Sequence, residues 1–131
     1  MEKIIEIEGH SIGFKCSAGT VRAYRNECGR DLIEDTTLIE SELVENQQLS
    51  PESVGNAEMI AYVMAKEYGQ EMPPTVSEWL DNFSPYFAYN AIVHIINMWR
   101  ENLKTINDSK KNTARPKENG LRRFFCLERR N

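Results

Sequence analysis

The stretch 84–103, Ser-Pro-Tyr-Phe-Ala-Tyr-Asn-Ala-Ile-Val-His-Ile-Ile-Asn-Met-Trp-Arg-Glu-Asn-Leu, decides the fold class. Within it Ala88, Ile92, Ile95, Ile96, Trp99 and Leu103 fall at i, i+4, i+7, i+8, i+11 and i+15, a single stripe on a long helix. Ser84-Pro85 is the start signal for that helix. Just upstream, Thr75-Val76-Ser77-Glu78 fits a capping box, in which hydroxyl and carboxylate each satisfy a free amide. It opens a short helix carrying Trp79, Leu80 and Phe83. Met72-Pro73-Pro74 before it forces a break, because proline lacks an amide hydrogen and disfavours helix in the residue ahead of it.

Further back, Ser50-Pro51-Glu52 starts another helix, with a capping hydroxyl, proline at its first position and an acid in its first turn. Its expected buried residues are Ala57, Ile60, Ala61, Met64 and Tyr68, and Gly69 closes it. Leu32, Ile33, Ile39, Leu43 and Val44 mark an amphipathic helix whose propensity Thr36-Thr37 weakens. Ser17 or Thr20 caps a helix over Val21 to Cys28, ended by Gly29. At the N-terminus, β-branched residues alternate with acids around Ile5–Glu8, and Ile12, Phe14 and Cys16 alternate after Gly9-His10. Two such runs about a glycine turn read as a β-hairpin. The expected fold is mainly α (α+β): an N-terminal hairpin followed by a bundle of four to five helices. No internal repeat interrupts it.

The 131 residues and 15.2 kDa suit one domain with a tail, large enough to bury roughly two-thirds of its unfolded surface. With 40% hydrophobic and 27% charged residues, the chain is neither wholly disordered nor fibrous. The longest apolar run, Met59 to Ala65, is far short of the ~20 residues that cross a bilayer. Three cysteines cannot close a disulfide framework, and the N-terminus carries acids where a signal peptide needs an apolar core. The expectation is a soluble intracellular protein in a reducing compartment.

The net charge of −4 averages two unlike pieces. Residues 1–109 carry eight basic and eighteen acidic side chains, a sum of −10, whereas residues 110–131 carry eight basic and two acidic, a sum of +6. An acidic globular domain over 1–109 and a basic, flexible tail over 110–131 are expected. Such a tail either tracks phosphates, releasing counterions, or is drawn to the acidic body of its own or a neighbouring chain. The second reading is preferred, since Phe124-Phe125 are its only stacking residues.

The inventory of reactive groups is sparse. His10 and His94 are eighty-four positions apart without flanking carboxylates at ligand spacing, and Cys16, Cys28 and Cys126 form no C-x-x-C. Asp31, Glu34 and Asp35 are expected to complement a helix dipole rather than serve acid–base chemistry. The seven glycines make no phosphate loop. No catalytic residue, metal site or cofactor is expected, and the chain is read as a non-enzyme. The aromatics are denser: Trp79, Phe83, Tyr86, Phe87, Tyr89 and Trp99 account for half of the chain's twelve Phe, Trp and Tyr. Phe87, Ala88 and Tyr89 are consecutive on one helix and are not expected all to point inward, which leaves an apolar patch for a partner or for self-association.

Phe14-Lys15-Cys16-Ser17-Ala18-Gly19-Thr20, then Arg22, Tyr24-Arg25 and Gly29-Arg30-Asp31, resemble the tail assembly chaperones of long-tailed phages and prophages, especially of Gram-positive hosts. The order continues through Ala61-Tyr62-Val63-Met64-Ala65-Lys66, Glu78-Trp79-Leu80-Asp81-Asn82-Phe83 and Met98-Trp99-Arg100-Glu101-Asn102-Leu103-Lys104, covering roughly residues 3–111. The resemblance implies a non-enzymatic protein of the host bacterial cytoplasm, absent from the mature virion. It would bind and solubilise the tape measure protein and help recruit tail tube subunits. In many members a programmed −1 ribosomal slip yields a longer product, and Lys110-Lys111 offers a place for one. The chain departs from the family's short ending by running to Asn131.

A tape measure protein is a long helical chain, so a helix-in-groove mode is expected, with Tyr24, Arg25, Phe87, Tyr89 and Trp99 as the binding face. The alternatives are a small regulatory nucleic-acid-binding protein that uses the basic tail, and a minor structural virion protein. Acids crowd in from Asp31 onward, which disfavours a DNA-recognition helix there.

Overall fold

The computed structural model describes the backbone of residues 1–109 and the side chains of residues 1–103. It is an α+β fold, an antiparallel two-stranded hairpin followed by five helices. Strands β1 (Glu2–Ile7) and β2 (His10–Lys15) pair with Ile7 opposite His10 and Ile5 opposite Ile12. The loop is Glu8-Gly9, one residue earlier than the expected Gly9-His10. Both of its residues have positive φ, 54° and 81°, as a two-residue turn matched to the strand twist requires. His10 therefore belongs to β2, and its ring meets Phe83 edge-on with centroids 5.0 Å apart.

Helix α1 (Ala18–Cys28) starts three residues ahead of Val21, because Ser17 is the cap and its hydroxyl accepts from the Thr20 amide. Helix α2 (Leu32–Asn46) begins on Asp31, whose carboxylate accepts from the Glu34 amide. Thr36 and Thr37 do not interrupt it. Their hydroxyls donate back to the Leu32 and Ile33 carbonyls at 2.7 and 2.8 Å, so these β-branched residues stay within the helix. Helices α3 (Pro51–Tyr68), α4 (Val76–Leu80) and α5 (Phe87–Ser109) complete the fold, and Ser50 and Thr75 cap α3 and α4 as the sequence indicates.

Helix α3 is the axis of the molecule, packing against β2, α1, α2, α4 and α5. Ile60 through Ala65 are buried without interruption, the signature of a helix surrounded on every side. Tyr68, expected in the core, is half-buried instead and lies across β2 at Gly13. Two side chains lock the hairpin to the helices. The Gln70 carboxamide accepts from the Gly13 amide at 3.2 Å and donates to its carbonyl at 2.7 Å. The Glu8 carboxylate accepts from the Ser84 amide and hydroxyl, both at 2.8 Å, and from Asn90 at 2.7 Å. The stripe foreseen on α5 faces the core: Ala88, Ile92, Ile95, Ile96 and Trp99 are buried, and Leu103 is half-buried. The basic segment from Lys110 onward, including Lys110-Lys111, lies outside the described residues.

Candidate partner-binding groove

Helices α2 and α5 both pack on α3 but make little contact with each other. Glu40 on α2 pairs with Arg100 on α5, while the Leu49 amide, just past α2, donates to the Tyr89 hydroxyl near the start of α5. The two helices are therefore antiparallel and flank a groove of about 420 Å³. Leu43, Val44 and Gln47 join Glu40 on the α2 wall; Val93, Ile96 and Asn97 join Arg100 on the α5 wall. These sets recur at three- and four-residue spacing on each helix, so each wall is one continuous face.

The groove is apolar along most of its length and charged at one place. Ile96 is buried in its floor, and Val93 stands on its rim 53% exposed. Glu40 is only 2% exposed, and its ion pair with Arg100 ties the two walls together. Removing one partner of such a buried pair leaves an uncompensated charge, so the bridge fixes the spacing of the walls. At the far end Gln47 caps α2 in a left-handed conformation, φ 57°. Helix α2 itself carries five acids and no basic residue, and Glu40 is the one that lines the groove.

The five residues expected to form a binding face are not one surface. Tyr24, Phe87 and Trp99 are buried, Tyr89 is half-buried with its hydroxyl engaged by Leu49, and only Arg25 is exposed. Phe87 and Ala88 are both buried beside the half-buried Tyr89 because the start of α5 is flanked on two sides. Phe83 stacks on Phe87 and Trp79 meets it edge-on from one side, and the α2–α3 link meets Tyr89 on the other. Among the described residues, the Phe, Trp or Tyr left in solvent is Tyr86, which precedes the helix. The groove was missed in the sequence because its walls belong to helices forty or more residues apart. Val93, an apolar residue off the buried stripe of α5, is a sequence signal for it.

Several of the groups considered for chemistry have structural partners. Asp35 is buried and accepts from the Tyr24 hydroxyl at 2.7 Å and from two Arg30 nitrogens at 2.8 Å each. Burial alone would raise its pKa, but the bonds from Arg30 and Tyr24 outweigh it and hold the carboxylate below its ordinary value. Burial, with Asp35 beside it, pushes the Tyr24 phenol up. Burial also pushes the Cys16 thiol up to about 12, leaving it protonated and unreactive at neutral pH. The half-buried Cys28 thiol donates to the Tyr24 carbonyl. His94 is exposed on α5. Among the described residues no three His, Cys, Asp or Glu side chains gather as metal ligands, and no helix is long and apolar enough to cross a membrane. Compared with known protein families, curated proteins and solved structures, the chain matches none.

Proposed function

We propose that the chain is a non-enzymatic phage tail assembly chaperone that shields an apolar stripe of the tape measure protein in the α2–α5 groove. The observation that carries this reading is the groove: two antiparallel helices bridged by Glu40–Arg100, with Leu43, Val44, Val93 and Ile96 between them. An amphipathic helix lays its anchor residues into such a cleft, and the spacing of the wall residues matches that of helix anchors. The ordered resemblance along residues 3–111 names the client. In this reading the protein acts in the host cytoplasm, brings tail tube subunits to the coated tape measure and is left out of the finished particle.

The test is co-expression of the full chain with the tape measure protein encoded beside its gene. The expected result is a soluble client that co-elutes with the chain. A Val93→Lys variant places a charge on the exposed rim and should cut client recovery, on the order of tenfold for each 1.4 kcal/mol of binding lost, with its thermal unfolding unchanged. A client that stays insoluble with the unaltered chain rejects the function. Full recovery with Val93→Lys rejects the groove as its site.

A further inference from the structure

We propose that residues 121–127 of the same chain, Leu-Arg-Arg-Phe-Phe-Cys-Leu, occupy the α2–α5 groove and must leave it before a partner helix can enter. The inference rests on the chaperone reading and adds regulation to the same groove. Three observations carry it. The first is charge. Residues 1–109, to which both groove helices belong, sum to −10, and helix α2 carries five acids and no base, of which Glu40 lines the groove; the segment from 110 to 131 sums to +6, with Arg122 and Arg123 next to its apolar residues. Opposite fields on tethered pieces of one chain draw them together. The second is pattern. Leu121, Phe124 and Phe125 fall at i, i+3 and i+4, the spacing of anchors on one helix face, and they suit the apolar lining of Leu43, Val44, Val93 and Ile96.

The third is reach. Helix α5 ends at Ser109, and the way back from there to the level of Val93 is ~24 Å at 1.5 Å per residue. Residues 110–120 span up to ~36 Å when extended, so Leu121 reaches the groove without disturbing α5. Tethering raises the effective concentration of the segment to the millimolar range, so a weak contact suffices to fill the groove. A client then binds with its affinity reduced by the fraction of time that the groove is filled.

Native Cys126 lies within the proposed occupant and serves as the reporter. In the full chain, Val93→Cys on the exposed rim, and separately Gln47→Cys on the opposite wall, are treated with diamide at low protein concentration and mapped by mass spectrometry. The expected product is an intrachain disulfide from position 93 or 47 to Cys126. It should weaken at high salt and be lost when Phe124→Ser and Phe125→Ser are added. Arg22→Cys on α1, outside the groove, is the control. Equal linkage from position 22, absence of linkage from both groove positions, or linkage only between chains in proportion to concentration each overturns the proposal, the last in favour of a second copy. No client is present in this experiment, so its failure leaves the chaperone reading to the co-expression test.

Discussion

Gly13 sits in β2 beneath the ring of Tyr68, where a Cβ would stand 2.4 Å from two ring carbons. The position needs glycine for space rather than for an unusual backbone angle. Gly13→Ala must displace the whole ring, a form of overpacking that costs about 1–3 kcal/mol. Urea denaturation should show that loss in the otherwise unaltered chain and a much smaller one in a Tyr68→Ala background. An equal loss in both backgrounds would mean that the ring is not the obstacle. The Tyr24–Asp35–Arg30 cluster makes a complementary point about single residues. Asp35 read as an acid at the positive end of a helix, which it is, but its burial against Tyr24 depends on how α1 meets α2. Sequence shows the residue's local role and hides the tertiary one.

Helix ends were the most readable elements. Ser50-Pro51, Thr75, Gly29 and Gly69 are local signals, and each cap falls where its residue type demands. Gln47 is the exception, a non-glycine residue ending α2 at φ 57° with no punctuation in the sequence. A left-handed side-chain-bearing residue costs roughly 1–2 kcal/mol, so Gln47→Gly should stabilise the protein by about 1 kcal/mol after glycine's own entropy cost. An unchanged or lower midpoint in urea would show that the side chain of Gln47 contributes more than its backbone costs. The hairpin was legible as an element, yet its turn slipped by one residue because Glu8 takes a left-handed conformation usually left to Gly or Asn. Its carboxylate compensates by holding the start of α5 through Ser84 and Asn90. That bond spans seventy-six residues, beyond any local pattern.

At the scale of the molecule, three carboxylates join segments that are separate in sequence, and all three titrate below their ordinary values. Glu8 is lowered chiefly by the Ser84 amide and Glu42 by the Ser50 amide, while Asp35 is lowered by Arg30 and Tyr24 against its burial. A group with a depressed native pKa stabilises fully above its unfolded value, near 4.5 for Glu and 3.8 for Asp, and loses that contribution as pH falls through the native value. Glu58, raised by burial, acts in the opposite sense. Stability should therefore decline below about pH 4.5, and Glu42→Gln should make the decline shallower in a series of thermal melts. A slope identical to that of the unaltered chain would remove Glu42 from the account. The class of the fold could be read from periodicity alone. The groove could not, since it depends on the splay of α2 and α5 across α3 and on one buried ion pair, and no spacing along the chain encodes either.

The carboxamide of Gln70 meets both backbone groups of Gly13, as a neighbouring strand would. The hairpin thus has its outer edge plugged by a decoy from its own chain, while β1 on the opposite side is studded with Glu2, Lys3 and Glu6. Bare strand edges act as templates on which misfolded chains grow, and charged or occupied ones do not. With one hairpin edge occupied and the other charged, neither is left as a bare template on which a second chain could add a strand.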